Sequence, residues 1–75
     1  MDFKVFAERL KQLRNSKGLT LKQLGDAIGS TKATIGNLEN SNKQPSLAML
    51  CALADYFDVS LDYLVGRSDD SKRRL

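Results

Sequence analysis

Two short apolar stripes separated by only Gly29-Ser30-Thr31 constrain this 75-residue chain more than any other feature. Before the gap, Leu21, Leu24 and Ile28 recur at steps of three and four, the spacing of one helical face, and Thr20 with Gln23 makes a capping-box pattern ahead of them. After the gap, Thr31 is placed to cap a second helix carrying Ile35 and Leu38. A connection this tight forces the second helix across the first at a steep angle. The crossing needs a small residue where the helices touch, which Gly25 supplies, and a residue tolerant of positive φ in the turn, which Gly29 supplies. The pattern predicts a two-helix unit over about residues 20–39, with Leu24, Ile28, Ile35 and Leu38 filling the space beneath it.

The flanking sequence continues in helices. Phe3, Phe6, Leu10 and Leu13 form a first stripe, with Asp2 as its expected cap and Gly18 as its stop. The run Asn40-Ser41-Asn42-Lys43-Gln44-Pro45 is rich in turn formers and predicts a polar loop. Ser46 is expected to cap a fourth helix with Leu47, Leu50, Leu53, Ala54 and Phe57 facing inward. Ser60 is expected to cap a short fifth helix through Leu61, Leu64 and Val65 that ends at Gly66. Five helices of two to four turns, joined by short loops, predict an all-α, compact orthogonal bundle. The domain is expected to span residues 1–66, with 67–75 as a mobile polar C-terminal tail.

Composition narrows the function. Hydrophobic residues make up 41% and charged residues 28%, which suits a chain that folds unaided. There is no histidine and a single cysteine, so neither a disulfide framework, a cysteine metal cluster nor a histidine base is at hand. No enzyme, metal or cofactor is expected, and Cys51 is expected to be a small core residue. The absence of an apolar run of about 20 residues, and of a basic-then-apolar leader, leads to the expectation of a cytoplasmic chain. The net charge of +3 is unevenly placed: eight Lys/Arg stand against four Asp/Glu up to Pro45, none against three from Ser46 to Gly66, and four against two thereafter. An anionic partner would meet the first half.

The segment Leu19 to Leu38, with Glu39-Asn40, Pro45-Ser46-Leu47 and Val59-Ser60-Leu61-Asp62-Tyr63-Leu64, resembles the Cro/phage-repressor (XRE) family of helix-turn-helix domains over about Phe6 to Gly66. The resemblance implies a five-helix, lambda-repressor-like DNA-binding domain whose third helix, about 32–39, lies in the major groove. By position it assigns Lys32, Ala33, Thr34 and Asn37 to base edges. Their chemistry suits that role, since Lys donates to guanine O6 and N7, Asn pairs with adenine, and Ala33 or the Thr34 methyl can touch a thymine methyl. Without the motif around them, the same residues also fit an ordinary solvated helix face. The resemblance assigns phosphate contacts to the start of the second helix and the loop after the third, which here offer Lys22, Gln23, Thr31, Asn40, Lys43 and Gln44. It also pairs Arg14 with Glu39, tying the first helix to the end of the third.

Departures from the family pattern are informative. Leu21 stands where a polar residue, often Gln, is usual, and Gly25 where Ala is usual. Gly36 interrupts the third helix at a cost of up to about 1 kcal/mol of helix propensity and lets DNA approach closely. Ser41 replaces a helix-ending glycine, so Asn40 or Asn42 is expected to take the left-handed conformation. The functional expectation is a transcriptional regulator without cofactor, a repressor binding a palindromic double-stranded operator as a homodimer. Its half-sites would lie one helical turn, about 34 Å, apart, and its subunits would meet around Leu61, Tyr63, Val65 and Leu75. The alternative is a protein-interaction module of the same fold, such as an antitoxin.

Overall fold

Four of the five helices start with the same device. Thr20, Thr31, Ser46 and Ser60 each sit in extended backbone, and their side-chain oxygens accept from the N–H three residues on, at Gln23, Thr34, Met49 and Tyr63. At Thr20 the bond is reciprocated, because the Gln23 Oε1 accepts from the Thr20 N–H at 2.8 Å. Each such cap stabilises its helix by about 1 kcal/mol. The resulting helices in this computed structural model, which describes residues 3–73, are α1 (Lys4–Ser16), α2 (Leu21–Ala27), α3 (Lys32–Glu39), α4 (Leu47–Phe57) and α5 (Leu61–Leu64). No strand occurs among the described residues, and no helix there is long and apolar enough to cross a membrane. Helix α1 has no side-chain cap, and its expected cap, Asp2, lies outside the described residues.

The core draws on every helix: Phe6 and Leu10 of α1, Leu24 of α2, Ile35 and Leu38 of α3, Leu53, Ala54 and Phe57 of α4, then Val59 and Leu64. Gly25 sits at the α2–α3 crossing. A Cβ there would stand 2.9 Å from the Thr31 carbonyl carbon and 3.0 Å from its oxygen, so no other residue fits without moving α3. The Gly25 carbonyl accepts from the Ser30 N–H at 2.7 Å, and Gly29 turns the chain at φ +71°.

Several expectations need correction. Leu47, expected inside, is 72% exposed. Burial along its stripe deepens by the turn, from Leu47 through half-buried Leu50 to fully buried Leu53, so the stripe enters the core one turn later than its periodicity suggests. Cys51 is exposed, one turn from exposed Asp55 on the outer side of α4. The left-handed residue after α3 is Ser41 itself, at φ +60°. The reason is register. The Asn42 N–H bonds the Asn37 carbonyl at 2.9 Å and the Ser41 N–H bonds that of Leu38 at 3.3 Å, a Schellman closure that fixes which position turns over whatever residue holds it.

The described part of the expected mobile tail is tied back onto the bundle. The Arg9 guanidinium, its side chain 15% exposed, donates to the carbonyls of Tyr63 and Ser68 and to Asp69 Oδ1, and it lies 4.1 Å from the centre of the Tyr63 ring. The Ser60 N–H bonds the Ser71 carbonyl at 3.0 Å, and Arg73 reaches Asp55 at 2.6 Å. Backbone acceptors leave no trace in a side-chain pattern, so composition alone suggested a loose end.

Candidate nucleic-acid interface

Helix α3 is anchored on one side and bare on the other. Ile35 and Leu38 point into the core, while Lys32, Ala33 and Asn37 are exposed. Ala33 and Asn37, four residues apart, lie one above the other on the same face. Thr34 is placed differently. Its hydroxyl is 3.0 Å from that of Thr31, and it is half-buried beside a cleft shared with Lys43, Gln44, Pro45, Ser46 and Met49. Of the four residues expected at base edges, three therefore share the open side of α3, and Thr34 borders the loop expected at the phosphates.

The expected phosphate contacts fall in two groups. Lys22 and Gln23 are exposed in the first turn of α2, and Thr31 caps α3. The capping box uses Gln23 Oε1, which leaves its amide N–H groups as donors. Lys22 bonds Asp26 at 2.8 Å, and that hydrogen bond, with the carboxylate charge, raises the ammonium pKa above its ordinary value. A phosphate would have to draw Lys22 from this neighbour. Asn40, Lys43 and Gln44 are exposed in the loop between α3 and α4.

Arg14 and Glu39 hold this unit in place. Two hydrogen bonds join them, at 2.6 and 3.0 Å, and the side chains are only 13% and 6% exposed. Arg14 also donates to the Leu19 carbonyl at 2.8 Å, so one guanidinium of α1 grips both the approach to α2 and the end of α3. The hydrogen bond to Glu39 is the main cause of a raised Arg14 pKa; burial works against it and the Glu39 charge adds to it. No group of His, Cys, Asp and Glu suited to a metal ion occurs among the described residues.

One neighbour was not foreseen. A Cβ at Gly36 would lie 3.7 Å from Leu21 Cδ1, so the Leu21 side chain reaches across from α2 to lie along the middle of α3. Both residues stood out in the sequence as departures, but nothing in their spacing said that they meet.

The comparisons with known proteins agree with this geometry. A family model described as helix-turn-helix matches residues 10–64. An uncharacterized HTH-type transcriptional regulator of Bacillus subtilis, YobD, is 42% identical over 66 residues, covering 88% of this chain and 59% of its own length. The chain spans 52–59% of the length of this and two other Bacillus subtilis regulators that it matches. Among solved structures, the P22 c2 repressor in complex with a synthetic operator superposes with a TM-score of 0.80 at 26% identity, over 85% of this chain and 97% of that one. The restriction-modification controller protein C.AhdI of Aeromonas hydrophila does so with a TM-score of 0.76 at 30% identity, over 84% and 96%. The fold is that of the lambda/P22 repressor-like DNA-binding domains, and because the matched stretch takes in the α2–α3 unit together with the helices that brace it, the chain belongs to the XRE-type helix-turn-helix family.

Proposed function

We propose that the chain binds double-stranded DNA sequence-specifically and regulates transcription, as a repressor that occupies a palindromic operator as a dimer. The observation that carries this reading is the two-sided build of α3, with Ile35 and Leu38 locked in the core and Lys32, Ala33 and Asn37 free on the outside. A helix fixed this firmly presents its outer side chains in one geometry, which base-edge recognition requires. Lys32 serves as donor to guanine, Asn37 as partner of adenine and Ala33 as contact for a thymine methyl. Thr34, beside the cleft with Lys43 and Gln44, contributes at the margin between bases and phosphates. Lys22, Gln23, Thr31, Asn40, Lys43 and Gln44 supply the phosphate contacts. The names of the relatives as transcriptional regulators, and the operator in the P22 c2 repressor structure, support the same reading. Repression then follows from steric exclusion at the operator.

Subunit contact is assigned to α5 and the segment after it, around Leu61, Tyr63 and Val65. Leu61 is exposed and Val65 half-buried, while Leu75, expected to join them, lies outside the described residues. Light scattering should find a dimer on DNA; a monomer at high concentration, with and without DNA, would remove this contact.

The test is selection of duplexes from a random pool. A palindromic consensus with half-sites about ten base pairs apart is expected. Lys32→Ala and Asn37→Ala should each relax one position, losing about 1–3 kcal/mol of discrimination there. Lys43→Ala should weaken all sequences alike and shallow the salt dependence by about one phosphate. No consensus at low salt would overturn the reading.

A further inference from the structure

The Leu21–Gly36 contact gives α3 a side chain that α3 does not own. Gly36 lies one turn from both Lys32 and Ala33 on the helix surface, so it sits on the margin of the open face. Gly36 has no side chain of its own there, and Leu21 is its neighbour across the helices: the Leu21 Cδ1 would be in ordinary van der Waals contact with a Cβ at 36. Leu21 and Gly36 are both half-buried, so each keeps part of its surface in solvent. Ala33, three residues before Gly36, is exposed and apolar. Along one edge of the face, between the polar ends of Lys32 and Asn37, the surface is therefore hydrocarbon from two helices.

A major groove offers one apolar group to such a surface, the C5 methyl of thymine. Resting on the DNA-binding reading above, we propose that Leu21 is a specificity-determining residue that acts across Gly36, selecting a thymine in each half-site through its methyl group. The first position of α2 then serves base recognition, with Leu21 reaching the groove beside the bare backbone of Gly36. If Leu21 only packed on the core, its replacement would lower stability without changing which base is preferred.

The experiment uses the selected consensus duplex with each thymine replaced in turn by deoxyuridine, which removes the methyl and nothing else. At the thymine read by Leu21 in each half-site, removal should weaken binding about fourfold, the equivalent of one buried methyl, whereas a methyl held by Ala33 alone should keep its effect in Leu21→Ala. Leu21→Ala should bind the thymine and uracil duplexes equally at that position, while Leu21→Met, which keeps apolar volume, should restore most of the difference. Lys32→Ala should keep it. Thermal melts of both Leu21 variants establish that they are folded under the binding conditions. Undiminished discrimination at every thymine in Leu21→Ala, or none at any thymine in the parent chain, would overturn the inference while leaving DNA binding intact. Failure to select any consensus would instead bring down the DNA-binding reading, and this inference with it.

Discussion

Two arginines of α1, five residues apart, each secure a distant part of the chain, and they do so with opposite kinds of partner. Arg14 meets a carboxylate, Glu39, in a two-bond pair nearly closed to solvent, and adds the Leu19 carbonyl. Arg9 meets the carbonyls of Tyr63 and Ser68 and the ring of Tyr63, with a fully exposed Asp69 at the rim. The first grip braces the helix-turn-helix unit, and the second straps Ser68 and Asp69 to the bundle, the start of a segment that Ser60 and Asp55 hold further along. A partner that is itself a charged side chain can be found in a sequence. Backbone carbonyls cannot, because every residue carries one. The two grips also fail differently: removing Glu39 strands a sheltered cation, whereas removing Arg9 leaves neutral carbonyls that water can reach.

The largest effect should therefore come from Glu39→Ala, at about 3–5 kcal/mol of stability, because Arg14 is left sheltered without its counter-charge. Urea denaturation measures it. Replacing both partners, as Arg14→Met with Glu39→Leu, should lose far less, since no charge remains unpaired. A loss under about 1 kcal/mol for Glu39→Ala would mean that solvent takes over the guanidinium, and the contrast between the two grips would break. DNA affinity should fall as well, because the end of α3 loses its brace.

Arg9→Ala comes next, at about 1–3 kcal/mol, from lost charge-assisted hydrogen bonds and the cation–π contact with Tyr63. Its signature is local: amide exchange across residues 67–73 should quicken while α2 and α3 stay protected. Asp69→Asn should leave the melting temperature unchanged, because that carboxylate is fully exposed. Loss of protection throughout the bundle in Arg9→Ala would show instead that the strap belongs to the cooperative core.

How much the sequence showed follows the same division between side-chain and backbone signals. All four polar caps, the Gly25 crossing, the Gly29 turn and the order of five helices lay in residue type and spacing. The open side of α3 was legible because Ile35 and Leu38 fix which side is closed. What stayed hidden depended on where elements end against one another. Periodicity gives the face of Leu47 but not the depth of the core beside it, and it puts Leu21 and Gly36 on separate helices without saying that they touch. Cys51 was misjudged for a related reason: residue type favours burial, but the face it shares with Asp55 points outward.

The smallest prediction concerns the turn beside the Arg14 grip. Two helices end there in the same closure: α1 turns over at Gly18, φ +67°, and α3 at Ser41, φ +60°. At Gly18 the conformation is free of Cβ strain, whereas at Ser41 it costs about 1–2 kcal/mol. Ser41→Gly removes that strain but adds about 0.4–1 kcal/mol of unfolded-chain freedom, so a net gain of about 0.5 kcal/mol is expected in urea denaturation. The same change in a Glu39→Ala background tests whether the ion pair is what holds Ser41 in place. Equal gains in both backgrounds would mean that the Asn42 and Ser41 hydrogen bonds to Asn37 and Leu38 close the helix by themselves. A smaller gain without Glu39 would mean that the end of α3 has already loosened and that the strain at Ser41 was sustained by Arg14.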